Sequence, residues 1–516
     1  MKTAPMDHQR EALARMEGRE HFALFMDMGT GKTWTFLADL ERLYCAGKTE
    51  GALVVAPKGV HTNWVRREIP EHLSCPHIAV AFRSGAGKRE SASFLKVLEP
   101  RRDGEVPKLR ILAMNIDAIA HAKGYDLAAK FLRAVRRPMM IIDESDLIKN
   151  PRSARTKAAM KLGRLAAWRR IGTGTPTPNS PLDVFSQMEF LEEGLLGTSS
   201  YPAFVAEYAQ VLAPDHWLVK RLIDKSDAAA GGPGRGRLSF RPPQIIDKDP
   251  ITGAPKWRNL EKLSAKLKPH SFRVLKEDCL TLPPKLYKTV FFDLSPAQRA
   301  KYDSMEAHAR LLLNEELVAF QRTAALQKLQ QLTSGFVLIE GQPTYTSECR
   351  ARLDAFAIAI ECIKTPFIVW AKFIEELRSL EEELRELGVS FVSYHGRTKD
   401  KDRERAVDDF QAGRVQCFLG QPQSGGVGLT LNKAQTVINY SHTYNSRVRL
   451  QSEDRAHRKG TEHSVLYLDM VATDTIDESI AKAHQRKVSV SRQIHDDRGL
   501  NFELEDENTN AAEGWL

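Results

Sequence analysis

The stretch "MGTGKT", residues 28–33, has the residue types of a phosphate-binding loop. In the common pattern, a glycine is followed by four residues and then by Gly-Lys-Ser/Thr. Gly31, Lys32 and Thr33 match this pattern, whereas Met26 stands where the first glycine is expected. The lysine would contact the β- and γ-phosphates of a nucleotide, and the threonine hydroxyl would bind Mg²⁺. The alternative interpretation is a glycine turn that carries a surface lysine.

The segment "IIDESD", residues 141–146, places two acids directly after an apolar run. If this run is a strand of an open α/β sheet, Asp143 lies at its carboxyl end, where such sheets bind ligands. Asp143 would then hold the Mg²⁺ ion, and Glu144 would orient or deprotonate an attacking water. The alternative is a pair of solvated acids in a turn, and the phosphate loop earlier in the chain weakens it.

Two arginines lie three residues apart in "QSEDRAHRKG", residues 451–460. The spacing predicts that Arg455 and Arg458 share one face of a helix. If they face a cleft, they would stabilise charge on a transferred γ-phosphoryl group, as an arginine finger does. The alternative is a surface helix in which they pair with Glu453 and Asp454.

Regular secondary structure must position these candidate residues. Two parts of the chain show the same pattern of short apolar runs between helical segments. The first set is "HFALFMDM", "GALVVAP", "LRILAMN", "PMMIIDE" and "WRRIGTG", and the second is "TPFIVWA", "GVSFVSYHG", "VQCFLGQ", "TVINYSH" and "SVLYLDMVA". Such alternation predicts parallel sheets with helices on both faces. We therefore expect an α/β fold with two parallel-sheet domains in tandem and a helical and loop insertion between them.

Length and composition limit the possible classes of protein. The chain has 516 residues and a formal net charge of +9, which allows two large domains and favours a polyanionic partner. No apolar run is long enough to span a bilayer, and the N-terminus lacks a signal-peptide core, so we expect no membrane association. The six cysteines have no metal-ligand spacing, which predicts a reducing cytoplasm and no structural zinc.

The order of the motifs resembles one family. "DHQ", "MGTGKT", "VVAPKGVHTNW", "IIDESDLIKN", "TGTPTPN", "SYHG", "SGGVGLTL" and "QSEDRAHRKG" follow one another as in the superfamily-two helicases, and most closely as in their Swi/Snf-like DNA translocases. The resemblance runs from about residue 5 to about residue 490. It implies two RecA-like domains with ATP bound between them, and in this branch the residue at Met26 is commonly not glycine.

The resemblance also assigns roles to individual residues. It implies that Gln9 reads the adenine, that Thr33 and Asp143 hold Mg²⁺, and that Lys32, Asp143, Glu144, Arg455 and Arg458 are catalytic. The residues that would contact ATP are Gln9, Gly29, Thr30, Gly31, Lys32, Thr33 and Gly426. The residues that would contact the nucleic-acid backbone are Lys58, Lys149, Asn150, Gly396 and Ser424. For the two lysines, a plain solvated role stays open, and Trp64 is interpreted as a packing residue in preference to a base-stacking one.

Three positions depart from the pattern of the family. "DESD" replaces the usual Asp-Glu-Ala-His, so Ser145 and Asp146 put the coupling between motifs in doubt, but not metal binding. Thr461 and Ala371 stand where glutamine is common. We expect a compact bacterial or phage-like member, in the cytoplasm of a bacterial cell or an infected host, without added histone-reading or zinc modules.

The resemblance implies the following division of the chain. We expect a first RecA-like domain over residues 1–200, an insertion or linker lobe over 201–285, a helical protrusion over 286–360, a second RecA-like domain over 361–493 and an acidic tail over 494–516. The Gly- and Pro-rich stretch 205–260, with Arg235, Arg237 and Arg241, is either an exposed loop or a lobe over DNA. The tail is either a disordered solubilising end or a cover for a basic DNA groove.

The expected function is ATP-dependent translocation on double-stranded DNA by a DNA-stimulated ATPase that works as a monomer. Its contacts would run to phosphates and not read sequence. Two alternatives share the ATPase: a helicase that separates or anneals strands, and a translocase that remodels a DNA-bound protein such as RNA polymerase. A third alternative, a non-catalytic binding protein with a vestigial fold, conflicts with the intact set of lysine, acids and arginines.

Overall fold

The computed structural model describes most of the chain: residues 1–82, 94, 97–98, 107–216, 219–220, 223, 244–248, 255–314, 319–339, 342–345, 349–398, 400–423 and 429–484. It divides into two compact units, with the boundary between Leu275 and Lys276. The stretch with Arg235, Arg237 and Arg241 and the acidic tail lie outside the described residues. No helix in the described ranges is long and apolar enough to cross a membrane.

The first unit contains a seven-stranded parallel sheet in the order β3-β4-β2-β5-β6-β1-β7. Its central strands are buried along their whole length, as expected for a parallel sheet with both faces covered. The strands are β1 (His21–Met26), β2 (Gly51–Ala56), β3 (His77–Ala81), β4 (Leu109–Asn115), β5 (Met139–Asp143), β6 (Trp168–Gly172) and β7 (Ser271–Val274).

Helices and short turns cover this sheet. The α-helices are Asp7–Met16, Lys32–Cys45, Val60–Asn63, Ile69–His72, Ala122–Ala134, Ala154–Gly163, Val184–Leu191, Tyr201–Tyr208 and Leu260–Leu267. One π-helical turn, Trp64–Glu68, joins the third and fourth of them. The 3₁₀ segments are Ala118–Ala120, Ser145–Ile148, Pro181–Asp183 and Lys268–His270.

The second unit contains a six-stranded parallel sheet in the order β12-β13-β11-β14-β15-β8 and a small antiparallel pair, β9-β10. The strands are β8 (Lys285–Phe292), β9 (Phe336–Ile339), β10 (Gln342–Tyr345), β11 (Phe367–Trp370), β12 (Phe391–Tyr394), β13 (Cys417–Gly420), β14 (Thr436–Asn439) and β15 (Val465–Ala472). The α-helices are Lys276–Cys279, Pro296–Asn314, Ala319–Thr333, Ala351–Ile360, Ile374–Glu386, Asp400–Gln411 and Ser446–Ala456, and residues 476–484 are also helical.

The two parallel sheets confirm the predicted α/β fold class, and every apolar run singled out in the sequence contains a strand. Two strands of the sheets, β7 and β8, lie outside the ranges expected for the two RecA-like domains. β7 lies inside the range 201–285 assigned to a linker lobe, yet it pairs with β1 as the edge strand of the first sheet. Similarly, all of β8 except Lys285 falls in the predicted helical protrusion 286–360, and β8 pairs with β15 in the second sheet.

Candidate nucleotide site and arginine segment

The phosphate loop connects β1 to the helix Lys32–Cys45. Gly31 is the N-cap residue of this helix and has a left-handed backbone, with φ +85°. A Cβ atom at this position would lie 2.1 Å from the side-chain Nε2 of Gln9. The left-handed backbone favours glycine at this position, and a larger residue would also displace the Gln9 amide from the loop. The start of the helix directs unpaired N–H groups and the positive end of the helix dipole towards the loop, which favours an anion.

Lys32 is buried, so the interpretation as a surface lysine is wrong. Its ammonium group donates to the carbonyl oxygens of Met26, at 2.7 Å, and Asp27, at 3.1 Å. Both acceptors are neutral, so these two hydrogen bonds hold the lysine in the loop without neutralising its charge. A buried, positively charged group at the start of a helix is suited to binding a phosphate.

Gln9 lies directly against the loop. Its Nε2 donates to the Gly31 carbonyl, at 3.2 Å, and its Oε1 accepts from the Met6 backbone N–H, at 2.8 Å. His8 also contacts the loop, since its Nε2 lies 2.7 Å from the Thr30 carbonyl oxygen. The sequence analysis assigned no role to His8, because a single histidine beside the glutamine carries no spacing signal of its own.

The two acids of the "IIDESD" segment are buried at the carboxyl end of β5. Burial and the neighbouring charge of Glu144 raise the pKa of Asp143 to about 6, although a hydrogen bond from Trp64 and the charge of Lys32 act in the opposite direction. Glu144 has a left-handed backbone, with φ +59° and ψ +58°. For a residue other than glycine this conformation costs about 1–3 kcal/mol and is typical of functional sites. The burial of both side chains excludes a turn of solvated acids.

The unusual Ser145 and Asp146 do connect this acidic turn to the "TGTPTPN" segment. The Ser145 hydroxyl donates to Gln187 Oε1, at 2.7 Å, and Gln187 Nε2 donates to the Pro176 carbonyl, at 2.7 Å. The Thr173 hydroxyl lies 3.4 Å from both a Glu144 and an Asp146 carboxylate oxygen. The replacement of Ala-His by Ser-Asp therefore keeps hydrogen-bonded coupling between the two segments.

Arg273, on edge strand β7, is a further residue that the sequence analysis missed. Its Nη1 donates to the Phe25 carbonyl, at 3.2 Å, and to the Gly174 carbonyl, at 3.3 Å, and it pairs with Asp27 at 3.2 Å. It thus ties the entry of the phosphate loop to the "TGTPTPN" segment. Its partners lie 99–248 positions away in the sequence, so no local pattern could reveal it.

The predicted nucleic-acid contacts of the first unit follow strands β2 and β5. Lys58 is exposed in the turn after β2. Lys149 is half-buried, and its ammonium group lies 3.7 Å from Asp183 Oδ2, so it is not simply solvated. Asn150 is exposed, and its Oδ1 accepts from the Arg152 backbone N–H, at 2.9 Å. All three follow strands at the same edge of the sheet as Asp143.

In the second unit, the prediction that the two arginines share a helical face is wrong. The helix ends at Ala456, so Arg455 is its last basic residue and Arg458 lies in the following turn. The hydroxyl of Thr461 sets this end, because it donates to the Ala456 carbonyl, at 2.9 Å, and accepts from the Arg458 backbone N–H, at 3.1 Å. Thr461, which departs from the pattern of the family, is therefore part of the turn that presents Arg458.

Both arginines pack on the end of the "SGGVGLTL" segment. The Arg455 carbonyl accepts from the Leu431 N–H, at 2.9 Å, and Arg458 Nη1 donates to the Leu429 carbonyl, at 3.0 Å. Glu453 binds other cations, with Arg449 Nε at 2.8 Å and Lys285 Nζ at 3.1 Å. These contacts do not support a simple surface ion-pair helix, because Glu453 and Arg455 are both buried.

Three further residues of this unit were predicted to contact ligands: Gly396, Ser424 and Gly426. Gly396 is exposed in the turn after β12, where its carbonyl accepts from Arg403 Nη2, at 3.0 Å. Ser424 and Gly426 lie outside the described residues, so the structure does not test either prediction.

Comparison with known proteins places this arrangement in a family. The SNF2-related domain family matches residues 8–336, and the helicase conserved C-terminal domain matches residues 354–460. The chain belongs to the SNF2-related family. The phosphate loop and the acidic turn of this SNF2-related chain lie in the first matched range, and the arginine segment lies in the second.

Several relatives of this SNF2-related chain are known. Transcription regulatory protein SNF2 of Saccharomyces cerevisiae is 24% identical over 493 residues, which cover 91% of this chain and 26% of that protein. An uncharacterized ATP-dependent helicase of Mycoplasma genitalium is 24% identical over 471 residues, covering 89% and 39%. The TATA-binding protein-associated factor mot1 of Aspergillus fumigatus is 24% identical over 525 residues, covering 92% and 26%. The chain thus spans less than half the length of these relatives.

One solved structure also matches this SNF2-related chain along most of its length. It is the SWI2/SNF2 ATPase core of Sulfolobus solfataricus in complex with dsDNA, with 20% sequence identity and a TM-score of 0.39. The match covers 96% of this chain and 93% of that chain.

The first unit of this SNF2-related chain has a donor set that fits a magnesium ion. Thr33 is the second residue of the helix after the phosphate loop, and Asp143 ends β5. A hydroxyl and a carboxylate are the oxygen ligands that Mg²⁺ takes beside substrate phosphates and water. Burial and the charge of Glu144 raise the pKa of Asp143, and a bound cation would favour its ionised form.

Proposed function

We propose that this SNF2-related chain hydrolyses ATP and uses the energy to translocate along double-stranded DNA without reading its sequence. The observation that carries the proposal is the packing of Lys32, Gln9 and the acidic turn around one phosphate loop. Lys32 is buried in the loop, Gln9 touches it, and the indole of Trp64 links Asp143 to Phe36 of the helix that follows the loop.

Each residue has a defined task in the proposed hydrolysis. Lys32 and the N–H groups of residues 29–33 bind the phosphates, and Gln9 contacts the adenine. Thr33 and Asp143 hold Mg²⁺, which would supply positive charge to the phosphate oxygens. Glu144 orients the attacking water and accepts its proton. Arg455 and Arg458, from the second unit, stabilise the charge on the γ-phosphoryl group.

The proposed partner is the sugar-phosphate backbone of duplex DNA. Lys58, Lys149, Asn150, Gly396 and Ser424 are the proposed contacts, and the net charge of +9 favours a polyanion. Contacts to phosphates carry no sequence information and weaken as salt rises. We further propose that the protein acts as a monomer in a bacterial cytoplasm, in line with the Mycoplasma relative.

A second candidate function shares the same ATPase. The relative mot1 is named as a TATA-binding protein-associated factor, which favours a translocase that acts on a DNA-bound protein. Strand separation is the remaining alternative, and it requires an element that splits the duplex.

A paired assay separates translocation from unwinding. We expect ATP-dependent displacement of the third strand from a DNA triplex and weak unwinding of a forked duplex of the same length. Lys32→Ala, which removes the phosphate-binding ammonium group, is the control and should displace nothing. Strong unwinding without triplex displacement would reject the translocase in favour of a helicase. Triplex displacement that occurs only when a roadblock protein is bound would favour the remodelling alternative.

A further inference from the structure

Trp64 is fully buried and contacts two parts of the proposed ATP site. Its indole Nε1 donates to Asp143 Oδ2, at 2.9 Å. Its ring stacks with Phe36, with centroids 6.4 Å apart and planes inclined by 27°. Phe36 belongs to the helix that begins at Lys32, so one side chain bridges the helix of the phosphate loop and the acid at the end of β5.

The local backbone around Trp64 is unusual. Trp64 begins the π-helical turn Trp64–Glu68, which interrupts two short α-helical turns. Within this region the Asn63 amide donates to Glu68 Oε1, at 3.3 Å, across the five-residue spacing that a π turn brings together. Single π turns in helices are rare and are frequent at functional sites. Here the turn begins at the residue whose indole donates to Asp143.

The hydrogen bond has a direct consequence for the carboxylate. A buried indole N–H requires an acceptor, and a charged acceptor makes the bond stronger than a neutral carbonyl would. With Oδ2 bound to the indole, rotation of the Asp143 carboxylate is restricted, and the direction of its other oxygen is fixed relative to the phosphate loop. Carboxylates that bind metals are usually oriented by such outer hydrogen bonds, and loss of one typically lowers metal affinity by about 10–100-fold.

We propose that Trp64 is a positioning residue that orients the Asp143 carboxylate for the Mg²⁺ ion of the bound nucleotide. The inference rests on the proposed ATP site and adds to it a residue that the sequence analysis interpreted as packing in preference to base stacking. If Trp64 served packing alone, its replacement would change the stability of the first unit and leave the dependence of nucleotide binding on Mg²⁺ as it was.

The test measures binding and not turnover. In Trp64→Phe, an aromatic ring remains beside Phe36 while the N–H is lost. The affinity for a fluorescent ATP analogue is measured in EDTA and then across a Mg²⁺ titration. We expect the Mg²⁺ concentration for half-maximal effect to rise about 10–100-fold, while affinity in EDTA stays within about twofold of wild type. The matched control is Trp168→Phe, which removes a buried indole that donates to the Lys48 carbonyl, at 3.3 Å, and should change neither value.

The outcomes separate the inference from the proposed function. A folded Trp64→Phe with the Mg²⁺ dependence of wild type would overturn the positioning role and leave the ATP site intact. Wild-type protein that binds the analogue equally with and without Mg²⁺ would overturn the metal site itself. If Trp64→Phe does not fold, incorporation of 3-benzothienylalanine at position 64 keeps the bicyclic shape and removes only the N–H. The same rise in the Mg²⁺ requirement is then expected, and its absence would reject the proposal.

Discussion

Asp143 in the first unit and Glu453 in the second are both buried carboxylates, but their pKa values move in opposite directions. Burial and Glu144 raise the pKa of Asp143 to about 6. Burial alone would also raise the pKa of Glu453, yet the charges of Lys285 and Arg449 outweigh it and lower this pKa to about 2. Each acid also accepts a hydrogen bond from a neutral donor, Glu453 from the Tyr287 hydroxyl at 2.8 Å and Asp143 from the Trp64 indole at 2.9 Å, so the cations make the difference.

The difference separates a structural acid from one suited to bind a cation. Glu453 is satisfied by the protein itself and fixes the helix that carries Arg455 to strand β8. Asp143 has no cation paired with it to the same extent, and burial and Glu144 make its ionised form less favourable, which suits the proposed magnesium site. Sites that bind ligands commonly reduce the stability of the protein without ligand in this way, because the charge must be available to the partner.

A large loss of ATP turnover is expected from a change at Glu144, the neighbour of Asp143. Glu144→Gln removes the proposed water-activating carboxylate and should lower ATP turnover by at least about 10²-fold, while ATP binding remains because the phosphate loop is unchanged. Glu189→Gln is the control in the same unit, since this buried acid accepts from the Gly194 N–H, at 2.7 Å, away from the loop. Steady-state hydrolysis and a nucleotide titration check both variants. Full turnover in Glu144→Gln would remove the acidic turn from the mechanism.

A measurement of stability tests whether Glu453 is a structural acid. Glu453→Gln leaves Lys285 and Arg449 without their shared carboxylate, and loss of one partner of a buried pair costs about 3–5 kcal/mol. Because the folded pKa is lower than the ordinary 4.5, this contribution is present above that pH and is lost as the pH falls towards 2. Urea unfolding across this range should therefore show that the free energies of unfolding of wild type and Glu453→Gln become more similar as the pH falls.

Asp354→Asn is the matched control for this measurement. It removes an exposed acid that pairs with Arg350 in the same unit, at 3.5 Å. Exposed pairs contribute about 0–1 kcal/mol, so this variant should unfold almost like wild type. If Glu453→Gln is equally mild, the description of Glu453 as a structural acid is wrong.

A smaller effect of the opposite sign is expected at Asp143. Because its folded pKa is raised from 3.8 to about 6, the ionised carboxylate destabilises the folded protein above this range and not below 3.8. In the absence of Mg²⁺ and nucleotide, Asp143→Asn should stabilise the protein near pH 8 by about 1–3 kcal/mol, at 1.36 kcal/mol per pKa unit. This gain in stability should disappear below about pH 3.8, where Asp143 is protonated in the folded and unfolded protein. Loss of stability near pH 8 would show that the ionised carboxylate is well compensated.

Much of the fold was accessible from sequence because apolar runs reveal buried parallel strands. β7 and β8 were missed as sheet members, since edge strands carry weaker patterns and one of them, β8, leaves Phe291 63% exposed. The chemistry of the phosphate loop and acidic turn also followed from local spacing. Arg273 and the indole of Trp64 could not be assigned in this way, because their roles depend on partners brought near only by folding.

The arginine segment shows a different limit of sequence reasoning. A three-residue spacing predicts a shared helical face only if the helix continues, and here Thr461 binds the carbonyl of Ala456 and ends it. The left-handed backbone of Glu144 could not be predicted from the sequence either, because residues other than glycine rarely adopt this conformation.

Steady-state ATP hydrolysis with and without duplex DNA tests the central claim most directly. Wild-type protein should be strongly stimulated by DNA, and Lys32→Ala should be inactive at every DNA concentration. Arg455→Ala and Arg458→Ala should keep nucleotide and DNA binding but lose stimulation, by a factor that approaches about 10³. Unchanged turnover in Lys32→Ala, or full DNA stimulation in both arginine variants, would contradict an ATPase built from these residues.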